Sequence, residues 1–366
     1  MPVLHQFCPV LRPGDAISNQ AAAIHRIAQK LGLVSQAWHV YAGTHPDLPS
    51  RPYQHCHLAP GDKLLLHYST ASDLDEFVRP YAQQLSVCYH NITPPEYYAP
   101  FNPSLARHLR IGRERLRDHF FGAAHFYAGT AFNRAELESW GYTQIGDLPY
   151  VISPDKLIAA TQQPHNPAHI ARLRDKVNWL FVGRIAPNKR QDAIVQAFAR
   201  YRQRFQPNAR LILLGSAQSA GGYERYVRAT IAALGVQEHV LIDTPSDDAL
   251  SAYYAAADVF VSLSEHEGFG VPLVEAMWMG VPIVALARAA VPETMGNAGV
   301  LLESNQPDLV AACVHTVLTQ PALRESILRA QHQQATSFLL DPSESSIRQM
   351  LIQDWFPRQP MTDDRG

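Results

Sequence analysis

The chain has 366 residues, 17% of them charged, with a formal net charge of −2, which leaves room for two domains of ordinary size and argues against nucleic acid as a partner. No stretch approaches the roughly 20 apolar residues needed to span a bilayer, and the first residues lack the basic and apolar regions of a signal peptide. Cys8, Cys56, Cys88 and Cys313 are far apart and form no CxxC pair, which argues against a disulfide framework and against a structural zinc site, so the expectation is a cytoplasmic protein with reduced thiols.

In chain order, an apolar run over 3–10 reads as a strand. The turn Arg12-Pro13-Gly14-Asp15-Ala16 follows, then a helical pattern over 19–31 that closes at Gly32. One glycine falls far short of GxGxxG, so on spacing alone this is an ordinary βα turn. Apolar runs recur at 36–41, 63–68, 85–89, 125–128 and 149–152, with helical patterns at 71–83, 103–121 and 131–140 between them. That alternation predicts a parallel sheet covered on both faces. Two of these runs end in His67-Tyr68-Ser69 and His90-Asn91-Ile92-Thr93-Pro94. Open α/β sheets bind ligands at the carboxyl edge, which makes His67, His90 and Asn91 candidate site residues; the more common role for a histidine there is structural. Arg107, Arg110, Arg113, Arg115 and Arg117 accompany Leu105, Leu109, Ile111, Leu116 and Phe120 in a basic amphipathic helix that Gly112 weakens. Such a helix suits a solvated face or an anionic membrane surface.

Between 152 and 178 the pattern loosens into a polar, proline-bearing linker. The domain boundary is placed near residue 170, giving domains over 1–170 and 171–342 and a final segment over 343–366. The second series opens with a strand at Trp179-Leu180-Phe181-Val182, then a loop bearing Arg184 and Lys189. An arginine fork and a lysine point charge there can straddle a diphosphate; the alternative is a surface ion pair of Lys189 with Asp192. Strands are read at 211–215, 240–242, 259–263 and 282–286. After the third comes Ser264-Glu265-His266-Glu267-Gly268-Phe269-Gly270-Val271-Pro272, with Pro272 suited to open a helix and Gly280 to close it. Amides of the loop Gly268-Phe269-Gly270 would point along the positive end of that helix and suit a phosphate or sugar hydroxyl. Glu267 precedes the loop, and Glu275 is expected in the first helical turn.

Glu-Gly-Phe-Gly-Val-Pro-Leu-Val-Glu-Ala-Met at 267–277 and Val-Gly-Arg-Ile-Ala-Pro-Asn-Lys at 182–189 resemble the two signature motifs of retaining glycosyltransferases of the GT-B architecture, family 4. The resemblance covers most of residues 178–318, while the N-terminal half is matched by pattern and a few residues. It implies an α/β fold of two Rossmann-like domains whose parallel sheets face an interdomain cleft, with the last helix crossing back to the N-terminal domain before a frayed tail. It implies a nucleotide-sugar donor, with Glu267 and His90 beside the donor sugar. Arg184, Lys189 and the Gly268, Phe269, Gly270 and Val271 backbone would hold the diphosphate, and Glu275 the ribose. Gly14, Asp15, His67 and Asn91 become sugar or acceptor contacts. No clustered ligand set stands out in the sequence, so no metal or other cofactor is expected. Resemblance to mannosyl- and rhamnosyl-transferring members favours GDP-mannose as donor. The expected acceptor is a glycan or lipid-linked saccharide of a bacterial surface polysaccharide, reached with peripheral contact at the inner face of the membrane. Two other classes share the fold: a non-catalytic nucleotide-sugar binding protein and a nucleotide-sugar epimerase.

Overall fold

The structure, a computed structural model, describes residues 2–12, 15–120, 122–152, 175–245, 247–338 and 340–355. The boundary expected near residue 170, the tail at 358–366 and Gly14 lie outside them. The chain divides into two compact units. The first takes the described residues of Met1–Asn91, Gly112–Ser153 and Phe338–Gly366, and the second those of Ile92–Ile111 and Pro154–Ser337.

The first unit holds a seven-stranded parallel sheet of β1 (Val3–Cys8), β2 (Val34–His39), β3 (Ser50–Pro52), β4 (Lys63–Tyr68), β5 (Leu85–Tyr89), β6 (His125–Ala128) and β7 (Ile145–Asp147), in the order β3-β2-β1-β4-β5-β6-β7. The run at 149–152 is not a strand. Pro149 cannot donate to a ladder, and the pairing ends where Leu148 N donates to Ala128 O. The expected helix over 71–83 is a short helix, Leu74–Val78, that tightens into a 3₁₀ segment, Arg79–Gln84, at Pro80. β1 is followed by the helix Ala16–Lys30, whose Ile24, Ile27 and Ala28 pack with Leu4 and Leu65. The C-terminal helix Leu340–Gln349 and the wide turn Met350–Trp355 complete this core with Ile347, Met350, Leu351 and Trp355. Trp355 Nε1 donates to the buried Tyr127 hydroxyl at 2.9 Å.

Of the five arginines expected on one basic face, Arg113 pairs with Glu136 at 2.5 Å and lies over Trp140, and Arg115 pairs with the buried Asp75 at 3.2 Å. Arg117 pairs with its neighbour Asp118. The helix Pro103–His119 thus spends three of its cations within the protein. Among the described residues no helix is long and apolar enough to cross a membrane.

The second unit holds β8 (Asn178–Val182), β9 (Arg210–Leu214), β10 (Val240–Asp243), β11 (Val259–Ser262), β12 (Ile283–Leu286) and β13 (Val300–Leu302), all parallel, in the order β10-β9-β8-β11-β12-β13. Counted from β8, this is the doubly wound order 3-2-1-4-5-6. The strand order reverses between β8 and β11, and the crevice above such a reversal is where open α/β sheets bind ligands. Phe101 packs edge-on against Tyr223, with ring centroids 5.1 Å apart, and accepts a hydrogen bond from Gly222 N at 2.9 Å.

The loops above β8 and β9 approach closely. Gly183 N donates to Leu214 O at 2.8 Å and Ile185 N to Ser216 O at 3.0 Å. Gly215 has φ +144°, and a Cβ there would stand 2.2 Å from Gly183 O. Gly215→Ala is therefore expected to lower stability by about 2 to 4 kcal/mol through combined overpacking and backbone strain. At Gly235, where φ is +65° and no atom lies within 4 Å of the added Cβ, alanine should cost only the backbone term of about 1 to 2 kcal/mol. Urea midpoints of both variants test the difference, and an equal or smaller loss at Gly215 would contradict the close approach.

Candidate active site

Two loops of the second unit meet over the β8/β11 reversal. The first runs from Gly183 through a 3₁₀ turn, Pro187–Lys189, to Arg190 in the left-handed conformation at φ +52°. The second runs from Ser264 to Gly270. Asn188 ties them together: its Nδ2 donates to His266 O at 2.9 Å, and its own carbonyl accepts from Glu265 N at 2.9 Å. The Lys189 ammonium contacts the Glu267 carboxylate directly, each side chain 15% exposed. Lys189 does not pair with Asp192. That carboxylate is taken by Arg190, with Nε–Oδ1 at 3.1 Å, and Arg190 also contacts Glu265. Arg184 is exposed, and among the described residues its guanidinium makes no hydrogen bond or ion pair.

The helix after the loop is Val271–Trp278. Its N-cap, Gly270, has φ +97°, and a Cβ there would stand 2.9 Å from Leu273 Cδ1. Among the described residues no side chain caps this end; Pro272 has no N–H and Leu273 N donates to Gly270 O at 2.9 Å, which leaves the amides at Gly270 and Val271 to face an anion. The loop backbone is held from outside: Thr294 Oγ1 donates to Phe269 O at 2.6 Å and Ala290 N to Glu267 O at 3.2 Å. Glu275 lies in the second helical turn, not the first, because the helix begins at Val271. Its Oε2 accepts from the Tyr254 hydroxyl at 2.8 Å. Burial, then the charge on Glu275, holds that hydroxyl's pKa well above the usual range. The structure thus brings Arg184, Lys189, Glu267, Gly268, Phe269, Gly270, Val271 and Glu275 onto the loops and helix around one strand reversal. Asn188 and Tyr254 were not singled out by sequence reasoning. Asn188 stands inside the quoted motif; nothing local marks Tyr254, 21 residues from its partner.

The remaining candidates lie in the first unit. Asp15 caps the helix Ala16–Lys30, accepting from Ser18 N at 2.9 Å and Ser18 Oγ at 2.8 Å. Asn91 adopts φ +71° after β5, and its Nδ2 donates to Asn133 Oδ1 at 3.0 Å. His67 and His90 are buried and stacked, with ring centroids 5.2 Å apart, in a chain of hydrogen bonds. Gln6 Nε2 donates to Ala21 O at 3.1 Å, so its Oε1 accepts from His67 Nε2 at 3.0 Å. A neutral imidazole then has only a lone pair at Nδ1, and His90 Nε2–H donates to it at 3.0 Å. His90 Nδ1 is left to accept from the Tyr150 hydroxyl at 3.3 Å. Burial pushes the His67 pKa down to about 3; burial and then His67 push His90 well below its ordinary value. Both rings are therefore neutral, and each nitrogen of His90 has a partner within the protein.

Cys88 pairs with His67 across β4 and β5, and one donor atom each from His67, Cys88 and His90 lies within 4.8 Å of the others. Folding thus builds a clustered ligand set that linear spacing hides. The lone pair of His67 Nδ1 is already used by His90, and burial raises the pKa of the Cys88 thiol.

Residues 164–334 match the family model for glycosyl transferases group 1. The chain is 33% identical over 159 residues to a D-inositol 3-phosphate glycosyltransferase of Thermobifida fusca (strain YX), covering 41% of this chain and 36% of that protein. It is 32% identical over 171 residues to the O-antigen chain mannosyltransferase B of Escherichia coli, covering 44% of each. It thus spans about two fifths of the length of these curated relatives. The crystal structure of WaaG, a glycosyltransferase involved in lipopolysaccharide biosynthesis, superposes with a TM-score of 0.71 at 16% identity over 96% of this chain and 100% of that one. With two all-parallel Rossmann-like sheets and this structural likeness, the chain has the GT-B fold.

Proposed function

We propose that the protein is a glycosyltransferase that moves a hexose from a nucleotide-sugar to a glycan or lipid-linked saccharide, with retention of anomeric configuration. The observation that carries this reading is the Lys189–Glu267 pair across the β8/β11 reversal, beside the exposed Arg184 and an uncapped helix N-terminus. A departing nucleoside diphosphate needs positive charge placed in advance where its own charge develops. Arg184 supplies a fork for two phosphate oxygens, Lys189 a point charge, and the amides at Gly270 and Val271 a dipole. Lys189 then divides its charge between the phosphate and Glu267, whose carboxylate is assigned a place beside an oxocarbenium-like sugar. Glu275, with one oxygen held by Tyr254, is assigned to the ribose hydroxyls. His90 is assigned to the donor sugar, which requires the Tyr150 hydroxyl to give up His90 Nδ1. GDP-mannose is the donor assigned here, supported by the motif's likeness to mannosyl-transferring enzymes and by the mannosyltransferase among the relatives.

Arg184→Ala and Lys189→Ala are each expected to weaken nucleoside-diphosphate binding by about 1.5 to 3 kcal/mol, roughly ten- to hundredfold. Calorimetry with GDP and UDP decides it; unchanged affinity for the preferred nucleotide in both variants would sink the phosphate assignment. Transfer is expected to continue in EDTA, because these cations take the role a divalent ion would have. Complete loss restored by Mg²⁺ or Mn²⁺ would show that role to be misassigned. In a thermal-shift screen of GDP, UDP, ADP and dTDP sugars, the donor should stabilise the fold by mass action. Stabilisation by UDP-sugars alone would overturn GDP-mannose, and binding or isomerisation without transfer would overturn the transferase reading.

A further inference from the structure

We propose that His67 is a positioning residue that locks His90 in a single tautomer, its Nδ1 lone pair accepting the His90 Nε2 proton and leaving His90 Nδ1 as an acceptor. The direction of the chain is set at its far end. Ala21 O can only accept, so Gln6 must turn its amide nitrogen toward it and its carbonyl oxygen toward His67. Each later bond inherits that direction, through His67 and His90 to the Tyr150 hydroxyl. If His90 carried its proton on Nδ1 instead, two lone pairs would face each other at 3.0 Å, too close for a water to fit between them, on rings that are 0% and 7% exposed. A ligand hydroxyl that displaces Tyr150 therefore meets an imidazole that can accept but not donate. The kinetic part of this inference rests on the proposed role of His90 at the donor sugar; the tautomer itself does not.

The test uses the full-length protein labelled with nitrogen-15 histidine, whose ring shifts report which nitrogen is protonated. His67 and His90 are both expected to be Nε2-protonated near neutral pH. His67→Asn, which keeps an acceptor oxygen near the position of Nδ1, should leave His90 in that tautomer. His67→Phe removes the acceptor and should let His90 shift its proton to Nδ1. It should also lower kcat roughly ten- to hundredfold with the donor KM nearly unchanged, as expected when a reacting group loses its orientation. If His67→Phe does not fold, Gln6→Met, which frees His67 to reverse its own tautomer, is read in the same way. A wild-type His90 protonated on Nδ1, or a folded His67→Phe variant with unchanged spectrum and kcat, would overturn the proposal. If the wild type turns over no sugar nucleotide, the functional reading fails and the spectra alone decide the lock.

Discussion

The site in the second unit depends on one constraint: strands β8 and β11 are neighbours in the sheet, but their following loops leave in opposite directions. The gap above them must be bridged by contacts between loops, because no ladder continues there. Asn188 bridges it with two neutral hydrogen bonds and Lys189 with a charge that meets Glu267. Placement of opposite charges at 15% exposure is not worth much as stability, since desolvation offsets much of the attraction. Its value is in geometry, because it holds a carboxylate and an ammonium together where a ligand can divide them.

The two units show different ways of holding polar groups at a strand end. In the second, the groups are partly exposed and Arg184 makes no hydrogen bond or ion pair among the described residues. In the first, Gln6, His67, His90 and Tyr150 are buried and joined end to end. A buried polar network of this kind is tolerated only when each member is satisfied, and it is then rigid.

How much of this was legible in the sequence depends on the range of the interaction. Strands β4, β5 and β6 were read to the residue because they are short apolar runs bounded by polar turns, and the pattern is local. The motif spanning Glu267 and Glu275 was legible because its loop and helix are contiguous. The protein partner of Lys189 was not legible: Asp192, weighed as the alternative to a diphosphate, is three residues away and Glu267 is 78 residues away along the chain, yet the sheet order brings the latter closer. His67, Cys88 and His90 come together for the same reason, through the β4/β5 register. Strand β3 is three residues long and largely polar, so no periodicity announces it. The basic helix was seen, but its partners Asp75 and Glu136 lie on other elements.

The core of the first unit is closed by the end of the chain. Ile347, Met350, Leu351 and Trp355 pack with Leu4, Ile24 and Tyr127. During synthesis the ribosome must therefore make more than two hundred intervening residues, including those of the entire second sheet, between Tyr127 and its partner Trp355. Domains generally complete themselves from the N-terminus onward as they emerge. Here all the residues of the second unit, which end at 337, are made before the helix Leu340–Gln349 that completes the core under Ala16–Lys30.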